Sequence, residues 1–209
     1  NNNSEWCNSN GSKWTKVVYL MTCKINADTS DGLKLISDTS GIIEIQANGT
    51  KSNNLSFTGR IVQTVNVQTR AVATGTTVFP TDDTIPQKTD GNEYMTLAIT
   101  PTNASNKLRI FSTFYCSSSV ANSLMCAGLF QDDTAATLNA VMGGRNTGAG
   151  TPATIVIDHY MTAGTTSATT FKIRAGNPTS GTTTFNGLGT NRFFGGLETA
   201  SITIQEIEV

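Results

Sequence analysis

The sequence predicts an all-β protein whose main part is an antiparallel β-sandwich or jelly roll. Composition is the first reason: the chain has 19 glycines and many threonines and asparagines, whereas the residues that fill helices are scarce. The second reason is a succession of short segments, from residue 61 onward, in which apolar and polar residues alternate. Gly, Asn and Thr turns separate these segments, which favours a sandwich over a parallel sheet.

The chain is expected to have three parts. Residues 1–20 are a polar, irregular extension, residues 21–59 form a β-hairpin attachment segment, and residues 60–209 form the sandwich. A different sequence texture begins at Met21 and marks the first boundary. Gly59 precedes the long series of strands and marks the second.

The predicted hairpin covers residues 31–50 (DGLKLISDTSGIIEIQANGT), with turn residues at 37–41. Its apolar side chains alternate with polar ones: Leu33, Leu35, Ile43 and Ile45. A two-stranded hairpin of this size is only marginally stable by itself in water. These four side chains must therefore be buried either against the sandwich of the same chain or against copies of themselves.

The sandwich is predicted to contain about ten short strands. Alternation and turn residues give their bounds as 61–72, 94–100, 107–116, 124–131, 137–142, 153–162, 169–175, 182–186 and 201–209. In the seventh of these strands, Phe171 and Ile173 are expected to face the core. In the last strand the alternation changes phase at Glu206, which predicts a β-bulge.

Charge and hydropathy exclude two classes of partner. Only 14% of the residues are charged and the formal net charge is −1, so no basic surface predicts nucleic-acid binding. No apolar run approaches the roughly 18 residues that a membrane helix needs. We therefore expect neither a nucleic acid partner nor insertion into a membrane.

The residues that carry chemistry do not assemble into a catalytic or metal site. His159 is the only histidine, and on a strand its side chain points away from that of the adjacent Asp158. The sequence has no G-x-S-x-G motif, and the acidic residues of the 79–93 loop lack EF-hand spacing and are expected to form turns. We predict that the protein is not an enzyme and has no catalytic residues, metal or cofactor.

The cysteines allow two states. Cys116 and Cys126 end one predicted strand and begin the next, so they are either bridged or free. The length of the chain and the lack of a visible signal peptide favour buried free thiols. Cys7 and Cys23 are also near enough in sequence to meet across the N-terminal segment.

Stretches in most of the chain resemble one family. The hairpin segment at 31–50 resembles a segment near the start of many fibre and decoration proteins of tailed bacteriophages. Their C-terminal β-sandwich domain is similar, in the same order, to the following stretches: TIPQKTDGNEYMTLAITP, LFQDDTAATL, DHYMTAGTTSATTFKIRAG, GTTTFNG, FFGG and SITIQEIEV. The resemblance covers residues 21–209, and residues 1–20 depart from it.

The resemblance implies a parallel homotrimer on the surface of the virion, assembled in the host cytoplasm. The hairpin side chains Leu33, Leu35, Ile43 and Ile45 would meet around the three-fold axis, where burial of apolar area stabilises the assembly. The N-terminal segment would attach the trimer to other virion proteins of the capsid or tail.

Two functions follow from the resemblance. The first is a fibre or knob that contacts a glycan or protein on the host surface through the loops 143–152, 176–181 and 187–196. The receptor-binding candidates in these loops are Arg145, Arg192, Phe193 and Phe194, because Arg and aromatic side chains bind at modest ordering cost. The alternative is a capsid or tail decoration protein that stabilises the particle without receptor binding. The two phenylalanines also have an alternative role, as a plug at the sandwich end or at the trimer interface.

Overall fold

The structure, a computed structural model, describes residues 46–47, 50–51, 59–145 and 147–209. The chain divides into two compact units, residues 1–55 and 56–209. In the first unit, β1 (Gln46–Ala47) pairs antiparallel with β2 (Thr50–Lys51). The predicted hairpin residues Leu33, Leu35, Ile43 and Ile45 lie outside the described residues, as do Cys7 and Cys23.

The described part of the second unit consists of strands and their connections. The strands are β3 (Ile61–Thr69), β4 (Ala73–Gly75), β5 (Asn92–Ile99), β6 (Lys107–Ser118), β7 (Leu124–Gln131), β8 (Asn139–Arg145), β9 (Pro152–Thr162), β10 (Thr169–Gly176), β11 (Thr183–Phe185) and β12 (Ala200–Ile207). One 3₁₀ turn occurs at Phe194–Gly196. Among the residues that the structure describes, no helix is long and apolar enough to cross a membrane.

These strands form two antiparallel sheets. The four-stranded sheet has the order β5-β10-β7-β8, and the six-stranded sheet has the order β3-β12-β6-β11-β4, with β9 on the other edge of β6. Apart from the short β4 and β11, the pairs are nested along the chain: β3 with β12, β5 with β10, β6 with β9 and β7 with β8. This nested pairing is that of a jelly roll. The predicted all-β sandwich is confirmed.

The core lies between the two sheets and follows the alternation in the sequence. Every second residue is buried from Leu108 to Cys116 on β6 and from Ala153 to Ile157 on β9, as the period of two of a strand requires. Phe171 and Ile173 on β10 face the core as predicted. The largest buried side chains of this cluster are Phe114, Phe171, Phe185, Leu108, Ile110, Met125, Leu129, Ile155, Ile157 and Ile173.

Two predicted strands have a bound that is wrong by three residues, and the other bounds differ by two residues at most. The first strand ends at Thr69 rather than at 72, and β4 follows it as a separate three-residue strand paired with β11. The strand predicted at 137–142 begins at Asn139 and continues to Arg145. Thr137 ends the turn before it, where its hydroxyl lies 2.9 Å from the carbonyl oxygen of Leu129 and 2.8 Å from that of Asn139 and donates its one proton between them.

The predicted bulge is confirmed, and it places a carboxylate inside the protein. The register between β12 and β3 shifts between Glu206 and Ile207. Glu206 is fully buried and accepts hydrogen bonds from donors of Gln63, Thr102, Asn103 and Asn106. Burial raises its pKa, but these hydrogen bonds together outweigh burial and bring the pKa to about 2. The carboxylate therefore holds the connection at 100–106.

A second, smaller cluster covers the outside of the four-stranded sheet. Phe79 packs there with Cys126 and Phe130. Residues 76–91, which connect β4 to β5 and carry Phe79, are called the covering segment. Cys126 lies in this outer cluster, whereas Cys116 lies in the main core. Both thiols are buried and free, as predicted.

Candidate functional site

The predicted receptor-binding loops share one end of the sandwich. The connection after β6 meets the connection after β8, where the Gly150 amide donates to the carbonyl oxygen of Ser118 at 2.6 Å. It also meets the connection after β10, where the Ser119 amide donates to Thr182 at 2.9 Å. The connection between β11 and β12 begins at this end because Phe185 pairs with Cys116. We call this end the loop end.

The chain enters the sandwich at the opposite end. The Gly59 amide donates to the carbonyl oxygen of Glu208 at 2.8 Å, and the Glu208 amide donates to Arg60 at 2.9 Å. These residues precede β3 and follow β12, next to the end of β6 at Lys107. Since β6 has 12 residues, roughly 40 Å separates this entry end from the loop end.

Arg192, Phe193 and Phe194 form an exposed tip in the loop between β11 and β12. Phe194 is 80% exposed, and Phe193 is half-buried. The two rings lie 6.3 Å apart between centroids, tilted by 50°. Phe194 has a φ of 49°, which a phenylalanine rarely adopts because of steric crowding at Cβ. Phe194 therefore projects from the protein and does not plug the end of the sandwich.

Arg192 is exposed beside the same turn. A Cβ atom at Gly196 would lie 2.9 Å from Cδ of Arg192, so the glycine allows the arginine side chain to lie across the turn. Gly196 has a φ of 90°, which also requires glycine. The residue types of the GTNRFFGG stretch thus present a cation and an aromatic ring on one short loop.

Arg145 lies in a different part of the loop end. It is the last residue of β8, and its Nη1 donates to the carbonyl oxygen of Asn122 at 3.0 Å. It lines an open pocket of about 430 Å³ together with Pro178 and Thr179. Three of the four candidate residues therefore lie together in one loop, and Arg145 lines a pocket in a different part of the loop end.

A hydroxyl-lined pocket at the loop end was not predicted from the sequence. It has a volume of about 420 Å³ and is lined by Ser117, Ser118, Ser119, Ala149, Gly150, Thr182, Thr184, Leu188 and Gly189. Several of its hydroxyls already bond to the protein: Ser117 donates to the carbonyl of Gly187 at 2.7 Å. The Ser-Ser-Ser run at 117–119 was the available sequence signal, but only the pairing of β11 with β6 places it beside Thr182 and Thr184.

Asp158, His159 and the acidic residues of the 79–93 loop lie in separate structural settings. Asp158 forms a two-point ion pair with Arg109, at 2.9 and 2.7 Å, and this bonding lowers the pKa of the carboxyl. His159 is half-buried on the opposite side of β9, and burial lowers its pKa. In the 79–93 loop, Asp82 accepts a hydrogen bond from the Thr84 amide at 3.0 Å, as a turn residue does. Within the described residues, no group of three or more His, Cys, Asp or Glu residues is placed to hold a metal ion.

Comparisons with known proteins give remote matches only. No family model matches the chain, and no curated protein sequence matches it significantly. Among solved structures, it is similar to VP2 of infectious bursal disease virus in a subviral particle, with a TM-score of 0.34 and 11% identity over 79% of this chain and 42% of that chain. The Gt strain of the same virus gives a TM-score of 0.33 and 13% identity, over 79% and 43% of the two chains.

The chain spans about two fifths of the length of the viral proteins that it matches.

Proposed function

We propose that the chain is a structural protein of a virus particle, a homotrimeric fibre or knob that contacts a glycan or protein on the host surface. The observation that carries this proposal is the exposed pair of Arg192 and Phe194 at the loop end. A soluble domain gains no stability from a phenylalanine that is 80% exposed, whereas exposed aromatic and Arg side chains are typical of binding surfaces.

The direction of the chain supports the same proposal. The sandwich is entered at 59–60, at the end opposite to these residues. A domain attached to a particle through its N-terminal segment would point its loop end outward. The sequence resemblance to phage fibre and decoration proteins over residues 21–209 provides the virion context, including attachment to capsid or tail proteins and assembly in the host cytoplasm.

The direct test is adsorption of particles that carry single substitutions. We expect Arg192→Ala and Phe194→Ala each to reduce adsorption to host cells by about tenfold or more, as for anchor residues of an interface. Matched controls are Arg60→Ala at the entry end and Ile85→Ala, which removes another exposed apolar side chain. Both controls should adsorb normally, and all four variants should remain assembled.

Two outcomes would reject receptor binding by this loop. Normal adsorption of both loop-end variants would exclude Arg192 and Phe194 as the contact. Normal adsorption of particles that lack the protein altogether would favour the decoration function, in which the protein only stabilises the particle.

A further inference from the structure

The outer face of the six-stranded sheet is formed by the outward side chains of β3, β12, β6 and β9. We call it the open face. The strand registers place these side chains in four rows, read from β3 to β9: Gln68, Ser201, Thr113 and Val156; Asn66, Thr203, Phe111 and Asp158; Thr64, Gln205, Arg109 and Tyr160; and, at the entry end, Ile61, Ile207, Lys107 and Thr162.

The charges at the centre of the open face are paired within it. Arg109 binds both carboxylate oxygens of Asp158. The same guanidinium lies 5.7 Å from the ring centre of Phe111 and 5.6 Å from that of Tyr160, within the range of cation–π attraction. Lys107 stands at the edge of the face and donates to the Thr162 hydroxyl at 2.7 Å. The ion pair at the centre of the face therefore needs no counter-charge from a partner.

Two large side chains on the open face are about half exposed to solvent. Val156 is 48% exposed and Tyr160 is 57% exposed, and both lie on β9 next to the Arg109 cluster. Phe111 lies between them on β6 and is half-buried. Aromatic residues and Arg, with few other charges, are the composition of the centre of a protein interface rather than of free surface.

We propose that the open face is the surface through which copies of this chain pack against one another. The inference rests on the homotrimer of the proposed function and names the part of the sandwich that holds it together. The two halves of the face differ in chemistry. The half on β6 and β9 carries the aromatic and paired charged groups, and the half on β3 and β12 carries hydroxyls and amides.

The symmetry of a three-fold ring suits this face. Such a ring brings two different patches together at every contact, and the open face offers two halves of different chemistry, with the charged groups on the half formed by β6 and β9. Four strands about 4.8 Å apart and roughly 30 Å long give a footprint of about 600 Å². A stable protein interface buries about 800 Å² of accessible surface per partner. A ring divides the open face between two contacts, so the face supplies the centre of each interface and not the whole of it.

The test is the mass of the full chain in solution with a charge added to the open face. We expect the wild-type protein to have three times the chain mass of 22.1 kDa. Val156→Lys should increase the dissociation constant of the assembly by at least roughly 100-fold, because an unpaired charge is buried at each contact. Gln205→Glu is a nearly isosteric change on the other half of the face, and it should also increase the dissociation constant of the assembly.

Met142→Lys is the matched control. Met142 is 59% exposed on β8, in the other sheet, and its replacement adds the same charge to an apolar position. It should leave the assembly unchanged. Circular dichroism of both open-face variants should match the wild type, since Val156 and Gln205 point away from the core.

The possible results separate this inference from the proposed function. If the wild type is trimeric and both open-face variants stay trimeric, the open face is not the interface, and the homotrimer is held elsewhere. If the wild type is monomeric, the homotrimer and the interface are both rejected. A glycan that binds the open face of a monomer would replace the second copy as its ligand.

Discussion

The outer face of the four-stranded sheet is covered by residues 76–91 of the same chain, whereas the outer face of the six-stranded sheet is open. On the covered face, Phe79 is only 2% exposed and lies over Cys126 and Phe130. On the open face, Val156 and Tyr160 are about half exposed. Both faces carry aromatic side chains, but among the described residues only the outer face of the four-stranded sheet is packed against another segment of the chain.

The covered face is built to receive its segment. A Cβ atom at Gly91, Gly128 or Gly176 would come within about 3 Å of Phe79, so the three glycines make the space that its side chain occupies. The C-terminal end of the covering segment is fixed by Arg174, which donates to the carbonyl oxygens of Asp90 and Gly91 at 3.0 and 2.7 Å. The open face has no such set of glycines among the described strands. The difference indicates that intramolecular cover requires matching positions that are distant in sequence.

The first prediction concerns the side chain that holds the covering segment on the sheet. Phe79→Ala should lower the free energy of unfolding by about 3 to 5 kcal/mol, because it leaves a cavity over Cys126 and Phe130. Ile85→Ala, in the same segment but with an exposed side chain, should change it by less than about 0.5 kcal/mol. Chemical denaturation measures both values. Equal values for the two variants would show that Phe79 does not hold the segment.

The connection at 100–106 is held by the Glu206 carboxylate rather than by apolar packing, so its contribution to stability should depend on pH. Replacing Glu206 by Gln should cost about 2 to 3 kcal/mol near neutral pH, since the amide cannot accept all the hydrogen bonds at this site. The pKa of Glu206 is lowered from 4.5 to about 2 by its hydrogen-bond donors. Between these two pH values, the unfolded protein therefore binds more protons than the folded protein. The contribution of Glu206 to the free energy of unfolding is lost as the pH falls from about 4.5 to about 2.

Denaturation at several pH values distinguishes the two kinds of connection. The difference in the free energy of unfolding between wild type and Glu206→Gln should decrease as the pH falls from about 4.5 to about 2. The difference between wild type and Phe79→Ala should stay constant, because no ionisable group is removed. A pH-independent cost of Glu206→Gln would mean that the carboxylate is not ionised in the folded protein.

A smaller effect concerns the two thiols. Both are buried, and burial raises the pKa of Cys126 to about 11 and raises that of Cys116 further, so alkylation of the folded protein should be slow. Phe79→Ala should accelerate alkylation of Cys126 by about tenfold or more while Cys116 in the main core stays protected. Peptide mass spectrometry measures each rate separately. Equal acceleration at both sites would show that Phe79 stabilises the whole fold rather than one face.

The sequence predicted what depends on local pattern. Alternation of apolar residues was sufficient for the strands around Phe171 and Ile173, and the phase change at Glu206 was sufficient for the bulge. The tip at Arg192 and Phe194 was visible because its residues are contiguous. Strand β4 was missed because three residues carry too little alternation to be recognised.

The sequence did not predict what depends on register between distant strands. The buried position of Phe79 follows from glycines at 91, 128 and 176, which only the folded sheet brings together. The cluster on the open face needs Arg109 opposite Tyr160, in a pairing of strands about fifty residues apart. For the same reason, Arg145 was grouped with Arg192, although Arg145 lies on β8 and lines a pocket with Pro178 and Thr179.

The most direct test of the account compares labelling of two introduced cysteines in the assembled full-length protein. Val156→Cys places a thiol on the open face, and Met142→Cys places one at a similarly exposed position of the other sheet. If copies of the chain cover the open face, the thiol at 156 should be labelled at least roughly tenfold more slowly than the thiol at 142. Dilution below the dissociation constant should equalise the two rates. Rapid, equal labelling at both positions in the trimer would contradict the account.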